Sequence, residues 1–225
     1  RHMLNHTLKP AHTAHLLESS PPREREVLWN LVNPELEGEV LQHLNDEIQA
    51  EFVNQMNTDE LLQATVNLDT DDFADILQQL PKKVMQEVLD RLGQQDRDRL
   101  EQVLSYPEDT AGGLMNTDVV SIRPDLTVDA VLRYLRRHDR MPEMTDNLFV
   151  VTRKDRYIGL LPVTSMLVSD PHTLVTDIMD TEREAIPADL DEMDVANLFE
   201  RHDWVSAPVV NEEGRLLGRI TIDDV

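Results

Sequence analysis

The chain of 225 residues contains no cysteine, few basic residues for its acidic content and no long apolar run. The absence of cysteine excludes disulfides and thiolate metal sites, and a reducing cytoplasm is the simplest expectation for the compartment. No segment approaches the roughly 18 consecutive apolar residues that cross a bilayer. The N-terminus also lacks the apolar core of a signal peptide. We therefore expect a folded chain that is soluble throughout.

Acidic side chains outnumber basic ones by 44 to 21, which gives a formal net charge of −23 at pH 7. A surface of this sign repels phosphate backbones and attracts metal cations, so we expect no nucleic-acid partner. The sequence also contains no nucleophile with a matched base, no glycine-rich phosphate loop and no zinc-protease motif. We therefore predict that the chain is not an enzyme.

The second half of the chain contains nearly the same pattern twice. The first copy has an excess of five residues at 140–147, so the offset between matching positions changes from 64 to 59 residues. Two repeats of about 60 residues indicate one folding unit that has been duplicated. A paired unit forms a cleft between its halves, which favours sensing over catalysis. The matching segments are 122–126 with 186–190, 137–139 with 201–203, and Val150 and Gly159 with Val209 and Gly218.

The first half of the chain predicts a stack of short helices. Capping residues or prolines recur every eleven to thirteen residues, each followed by apolar residues at helical spacing. Helices of roughly ten residues are not stable alone, so they must pack in a small superhelix. One or two further helices are expected in residues 1–32, including 23–31. The predicted starts are Asn33-Pro34, Asn45-Asp46, Thr58-Asp59, Thr70-Asp71, Pro81 and Gln94.

The turn-rich segment 106–113 marks a boundary, after which each copy is predicted to run β-α-β-β-α. The fold class is therefore α + α/β. We predict domains at 1–110, 111–175 and 176–225. Both ends look cut, because residues 1–3 resemble a cloning scar and a final helix would begin at Val225, so we expect a piece of a longer protein. The predicted strands are 119–122, 148–152, 157–161, 185–186, 206–210 and 216–220, and the predicted helices are 128–137, 163–167 and 193–201.

The order of elements, with a hairpin turn at 212–214 and the segment Gly218-Arg-Ile-Thr-Ile-Asp-Asp224, resembles the tandem cystathionine β-synthase (CBS) domain. In that family a Gly-x-x-Thr/Ser-x-x-Asp segment lies beside a nucleotide cleft between the two copies. The acidic helical stack, the junction at 106–115 and the helix start at 71–75 make the whole chain similar to the cytosolic part of an MgtE-type magnesium channel.

This resemblance implies a homodimer formed through the CBS domains, joined to a transmembrane pore domain of the same full-length chain and located on the cytoplasmic face of the cell membrane. It also implies that Mg²⁺ is the regulatory ligand. The ion would bind between acidic faces of the helical and CBS domains and hold the pore shut, and the domains would separate when Mg²⁺ is scarce.

Asp71, Asp72 and Asp75 open one predicted helix. Acidic residues in a first turn stabilise a helix by about 0.3 to 1 kcal/mol each without any ligand. Asp75 is harder to explain in this way, because like charges four residues apart repel. The resemblance implies that these aspartates face the CBS domain across a Mg²⁺ interface.

Two further acidic sets lie on the second copy. Asp223 and Asp224 have alternative roles as helix caps or, for Asp224, as a ribose ligand, and the resemblance instead pairs Asp224 with the Asp71 region around Mg²⁺. The resemblance assigns a second Mg²⁺ cluster to the region of Asp191, Asp194 and Asp203, which by themselves indicate a solvated face. Met193 replaces one expected carboxylate there, and Glu39 is a further candidate ligand from the helical stack.

A nucleotide site receives less support. Trp204 could stack an adenine, and Thr221 with Asp224 retains half of the ribose motif. The first copy, however, has Pro162 and Ser165 at the corresponding positions. We therefore expect that ATP does not bind and that Trp204 packs in the core. The alternative function is an adenine-nucleotide sensor, built on the CBS pair, whose helical domain docks a partner protein.

The histidines near the N-terminus have the residue type, but not the spacing, of a zinc site. His12 and His15 are three residues apart, and His2 and His6 precede them loosely. We interpret this segment as a disordered tail.

Overall fold

The computed structural model describes residues 8–138 and 140–225. The chain divides into two compact units, Arg1–Glu101 and Gln102–Val225. The domain limits at residues 110 and 175 remain predictions. Within the described ranges, no helix is both long and apolar enough to span a membrane.

The first unit consists of short helices, as the capping pattern predicts. Neighbouring helices pack in a chain of pairs, in which α1 contacts α2 and α3, α3 contacts α5, α4 contacts α6, and α5 contacts α7. The helices are α1 (Pro10–Glu18), α2 (Pro22–Trp29), a 3₁₀ turn (Pro34–Leu36), α3 (Glu37–Leu41), α4 (Asp46–Val53), α5 (Thr58–Thr65), α6 (Thr70–Gln78), α7 (Lys82–Arg91) and α8 (Gln94–Leu104).

Side-chain caps explain where these helices begin. The Asn45 side chain accepts a hydrogen bond from the Ile48 amide at 3.1 Å. Asn57 and Glu60 form a capping box, in which the Glu60 carboxylate accepts from the Asn57 amide at 2.8 Å. Helix α2 has no buried residue. Other helices bury an apolar face in the core of the unit, which includes Leu17, Leu41, Leu61, Ile76 and Leu77.

The interpretation of the N-terminal histidines is wrong for two of the four. His12 and His15 lie in α1, whose residues Ala14 and Leu17 are fully buried, so this segment is a packed helix. One or two helices were expected in residues 1–32, but the histidine segment was not identified as one of them, because histidine and threonine are weak helix formers and the buried stripe is short. His2 and His6 lie outside the described residues.

The second unit contains two small sheets with the same topology. In each sheet the short first strand pairs parallel with the middle strand, which pairs antiparallel with the last strand. The elements are β1 (Ser121–Ile122), α9 (Val128–Leu135), β2 (Asn147–Val151), β3 (Tyr157–Pro162), α10 (Val163–Val168), α11 (Val175–Ile178), β4 (Ile186–Pro187), α12 (Glu192–His202), β5 (Ser206–Val210), β6 (Leu216–Thr221) and a 3₁₀ turn (Ile222–Asp224).

The register of the sheets confirms the duplication. Val150 pairs with Gly159 in the first copy, and Val209 pairs with Gly218 in the second, with a register shift at the same point of each hairpin. The predicted strand 119–122 is shorter than expected and forms a ladder only at its last two residues.

The segment upstream of each first strand pairs with the last strand of the other copy. This pairing explains why the first strands are short. Asn116, upstream of β1, exchanges backbone hydrogen bonds of 2.8 and 2.9 Å with Arg219 on β6. Asp180, upstream of β4, does the same with Leu160 on β3 at 2.7 and 2.9 Å. Helix α11, which sequence reasoning missed, belongs to this second crossing segment, and its Val175 is buried in the core of the first copy.

Glycine is required where the crossing segments meet the last strands. A Cβ at Gly218 would lie 2.6 Å from the Asn116 carbonyl oxygen, and one at Gly159 would lie 2.5 Å from the Asp180 carbonyl oxygen. The repeated glycine therefore permits the two backbones to approach closely.

Candidate functional site

The aspartates that open α6 have different environments. Asp71 is 7% exposed, Asp72 is half-buried and Asp75 is exposed. Asp71 and Asp75 are one helical turn apart, as their spacing requires, but only Asp75 lies at the surface. Of the three predicted ligands on this helix, Asp75 is therefore the most exposed.

Asp224 forms a local cap at the end of the chain. One of its carboxylate oxygens accepts hydrogen bonds from the Thr221 amide and hydroxyl, both at 2.8 Å. The neighbouring Asp223 is exposed. This arrangement agrees with the capping role that was one alternative for Asp224, and it leaves the Asp223 side chain at the surface.

The three aspartates on the second copy lie at opposite ends of α12. Asp191 caps its N-terminus by accepting from the Met193 amide at 3.0 Å, and Asp194 lies in its first turn. Asp203 ends the helix in a left-handed conformation, with φ 51°. A helix of 11 residues is about 16 Å long, so Asp203 and Asp191 cannot share one ion within the same chain. The second Mg²⁺ cluster that the resemblance implies for this region stays a prediction, in which Asp191 and Asp203 of one chain cannot be ligands of the same ion.

The described residues contain no group of three or more histidine, aspartate or glutamate side chains that could hold a metal ion. Glu39 is exposed on α3, next to Glu37 on the same helix. Burial, and secondly the charge of Glu60, raise the pKa of Glu37 above its ordinary value. The helix contact between α3 and α5 therefore brings two carboxylates close enough to repel.

Trp204 lines a cavity instead of packing fully in the core. Its ring is half-buried, with the Arg183 guanidinium carbon 4.8 Å from the ring centroid. The His202 ring stacks on it, with centroids 4.9 Å apart and planes at 16°. The cavity has a volume of about 530 Å³, and it is lined by Asp180, Glu182, Arg183, Glu184, Ala185, Ile186, Pro187, Leu198, His202 and Trp204.

The core-packing interpretation of Trp204 is therefore corrected, because Arg183 and His202 hold its ring at a surface cavity. Thr221 is not one of the described residues that line this cavity. The two predicted nucleotide contacts, Trp204 and Thr221, are therefore not brought together there. Close by, the Tyr157 hydroxyl donates to the Arg183 carbonyl oxygen at 3.0 Å. Burial raises the pKa of Tyr157. The positive charge of Arg183 lowers this pKa by a smaller amount, and the negative charge of Asp180 raises it.

Sequence reasoning missed a buried polar cluster where the two copies meet. Ser206 is paired with Thr221 across β5 and β6, and its hydroxyl donates to the Asp146 carboxylate of the first copy. Asn147 donates to the same carboxylate at 2.6 Å. Comparison of the two copies would have indicated a polar position in this part of the second copy, because Arg219 replaces Leu160 at the equivalent strand position. The buried polar residues of the second unit are Asn116, Asn147, Ser206, Arg219 and Thr221.

The junction at 106–116 is part of the CBS pair and is not an open linker. The amides of Ala111 and Gly112 donate to the carbonyl oxygens of Leu190 and Ala188, both at 2.8 Å. Ala111 is fully buried. A protease would therefore reach this segment only after part of the unit opens.

Comparisons with known proteins match two kinds of domain in the chain. A family model described as the MgtE intracellular N domain matches residues 8–109, and a CBS domain model matches 111–169 and 175–225. The magnesium transporter MgtE of Thermus thermophilus is 38% identical over 204 residues, which are 89% of this chain and 45% of that protein. The magnesium transporter MgtE of Bacillus subtilis is 30% identical over 159 residues, which are 70% and 35% of the two chains.

The chain thus spans less than half the length of these curated relatives. A crystal structure described as the cytosolic domain of the Mg²⁺ channel MgtE in complex with ATP is similar along nearly the whole chain. Its TM-score is 0.88 at 35% sequence identity, and the match covers 97% of this chain and 89% of that one.

Proposed function

Since this chain belongs to the MgtE family of magnesium transporters through its N domain and CBS pair, we propose that it is the Mg²⁺-sensing cytosolic region of such a transporter. The observation that carries the proposal is that each unit has an exposed aspartate at a predicted site, Asp75 on α6 and Asp223 in the 3₁₀ turn after β6, in a molecule of net charge −23. Mg²⁺ bound between such surfaces favours the closed state of the pore.

The donor chemistry fits Mg²⁺. This ion prefers carboxylate oxygens, keeps several waters and is usually held by one or two carboxylates. Two carboxylates about 4 Å apart repel by roughly 1 kcal/mol in water and about 4 kcal/mol at an effective dielectric near 20. A bridging divalent ion reverses this repulsion. Changing a closed state from 1% to 99% requires about 5.5 kcal/mol of differential binding, which several weak sites supply together.

The proposal includes the partners of the whole protein. The CBS domains form a homodimer, and the two copies of the cytosolic region are attached to the transmembrane pore domain of the full-length chain at the cytoplasmic face of the membrane. Asp71, Asp72 and Asp224 supply further oxygens around the ion, and Asp191, Asp194, Asp203 and Glu39 belong to additional weak sites.

The test is a Mg²⁺ titration of the chain followed by small-angle scattering. We expect the radius of gyration to fall in MgCl₂ but not in NaCl of equal ionic strength, because screening alone does not bridge carboxylates. Replacing Asp75→Asn together with Asp223→Asn should raise the Mg²⁺ midpoint by about tenfold, which corresponds to about 1.4 kcal/mol.

The matched control is Asp98→Asn with Asp125→Asn, which removes one exposed charge from each unit at positions outside the predicted sites. This control should titrate as the wild type does. Equal radii in MgCl₂ and NaCl for the wild type would refute Mg²⁺ sensing by this region. A normal midpoint in the Asp75 and Asp223 variant would remove these two residues as ligands.

A second candidate function, adenine-nucleotide sensing, is favoured by the cavity beside Trp204 and by the ATP complex of the similar cytosolic domain. The acidic rim formed by Asp180, Glu182 and Glu184 opposes a polyphosphate there, so we expect ATP to bind weakly or not at all. Trp204 fluorescence during titration with ATP and AMP distinguishes the two functions, with Trp29→Phe to remove the other tryptophan. A saturable change that is absent from Trp204→Phe would support the nucleotide sensor.

A further inference from the structure

Arg219 is a buried cation between the two CBS copies. It lies on β6, is 4% exposed and donates through Nη2 to the Glu143 carbonyl oxygen in the loop at 140–147 of the first copy. Its Nε has no acceptor among the described residues. A buried charge is costly unless it is paired, and a buried donor without an acceptor adds to that cost.

Asn116 places a second donor beside Arg219. The two residues exchange both backbone hydrogen bonds, at 2.8 and 2.9 Å. In such an antiparallel pair the two side chains stand on the same face, with Cα atoms about 5.5 Å apart. The Asn116 Oδ1 accepts from the Asp118 amide at 2.7 Å, while Nδ2 has no acceptor in the described part of the chain. Two neighbouring side chains on one face of this pair therefore each carry a buried donor without an acceptor among the described residues.

The equivalent position in the first copy shows what is unusual. There Leu160 makes the same backbone pair with Asp180, whose Oδ1 accepts from the Glu182 amide at 2.8 Å. The turn is the same, but Leu160 stands where the second copy has Arg219, and Asp180 stands where it has Asn116. The pair of unmatched donors is specific to the second copy.

We propose that Arg219 and Asn116 bind one small inorganic anion between the CBS copies. A single acceptor would satisfy both donors and neutralise the guanidinium. In a chain of net charge −23, an anion needs such a local pair of donors to bind at all. Because the Glu143 carbonyl and the Asp146 carboxylate tie the same region to the loop at 140–147, the bound anion stabilises the contact between the copies.

This site is independent of Mg²⁺ sensing, and thermal unfolding of the whole chain tests it. The melting temperature is measured in sodium phosphate, sodium chloride and sodium gluconate at constant ionic strength, with EDTA present. We expect phosphate or chloride to raise the melting temperature saturably over gluconate, as a ligand of the folded state does. In Arg219→Leu, which copies Leu160, the apparent affinity should fall at least about tenfold. Arg133→Leu is the control, because it removes one exposed positive charge from the same unit.

Asn116→Asp keeps the proposal testable if Arg219→Leu does not fold. It copies Asp180, retains the turn acceptor and supplies an internal carboxylate beside Arg219. We expect this variant to melt at a higher temperature than the wild type in gluconate and to lose the response to phosphate and chloride. The proposal is overturned if the wild type melts alike in all three salts, which would mean that water serves the donors. It is also overturned if both variants keep the wild-type response, or if ATP protects the wild type while inorganic anions do not.

Discussion

At the scale of single residues, some aspartates of this chain cap or end helices, whereas others are exposed at the surface. Asp191 and Asp224 accept hydrogen bonds from nearby backbone amides, and Asp203 adopts a left-handed conformation that ends a helix. Asp75 and Asp223 have exposed carboxylates. Capping and ion binding use the same oxygen atoms, so residue type alone does not separate them.

Glu37 gives a prediction at this scale. Because burial and the charge of Glu60 raise the pKa of Glu37 above its unfolded value, ionisation of this carboxyl costs more free energy in the folded chain than in the unfolded chain, and this lowers stability at neutral pH. We expect Glu37→Gln to raise the urea midpoint at pH 7. The gain should shrink as the pH falls through the raised pKa and vanish below the unfolded value of about 4.3.

Glu39→Gln is the matched control, since Glu39 lies on the same helix and is exposed. Urea unfolding at pH 7, 5.5 and 4 measures both variants against the wild type. If Glu39→Gln showed the same pH-dependent gain, the effect would come from general charge reduction and not from the contact with Glu60.

At the scale of elements, the crossing segments decide how the CBS pair is assembled. The strands β1 and β4 have two residues each, because the chain upstream of each strand pairs with the last strand of the other copy. The junction at 106–116 is therefore a structural part of the second copy. Its glycines permit close packing, and a Cβ at Gly112 would lie 2.3 Å from the Tyr106 ring.

Removal of this junction should destabilise the second copy. Five backbone hydrogen bonds join 109–116 to the second copy, and at about 0.5 to 1.5 kcal/mol each they contribute about 3 kcal/mol or more. We expect a chain of residues 117–225 to unfold at lower urea concentration than one of residues 94–225, which keeps α8 whole. Circular dichroism measures the urea midpoint of both chains. Gly112→Ala in the longer chain should also lower its urea midpoint. Equal stabilities would contradict a structural role for the junction.

At the scale of the whole molecule, two units with separate cores carry a large excess of negative charge. Such a charge opposes compaction through self-repulsion and makes divalent cations effective ligands. The family relationship of both units to MgtE agrees with this electrostatic inference, although the two rest on different observations. Within the second unit, the buried Arg219 is an exception to the acidic character, and for that reason it is informative.

Much of the fold was predictable from local patterns. The starts of the helices α3 to α8 follow from caps and apolar spacing, and the β5 strand was predicted with its observed limits. Helix α11 and the helical state of His12 and His15 were not predicted, because short segments stabilised by distant contacts carry little local signal. The candidate ligands were identifiable only as acidic residues in the right regions.

The sequence by itself determined the repeat, its change of offset and the order of elements, because these depend on spacing along the chain. Only the tertiary structure decided that Asp71 is buried while Asp75 is exposed, that α12 separates Asp191 from Asp203, and that Arg219 and Asn116 meet. The last pairing joins residues about a hundred positions apart, and its geometry follows from backbone hydrogen bonds between the copies, which no local pattern encodes.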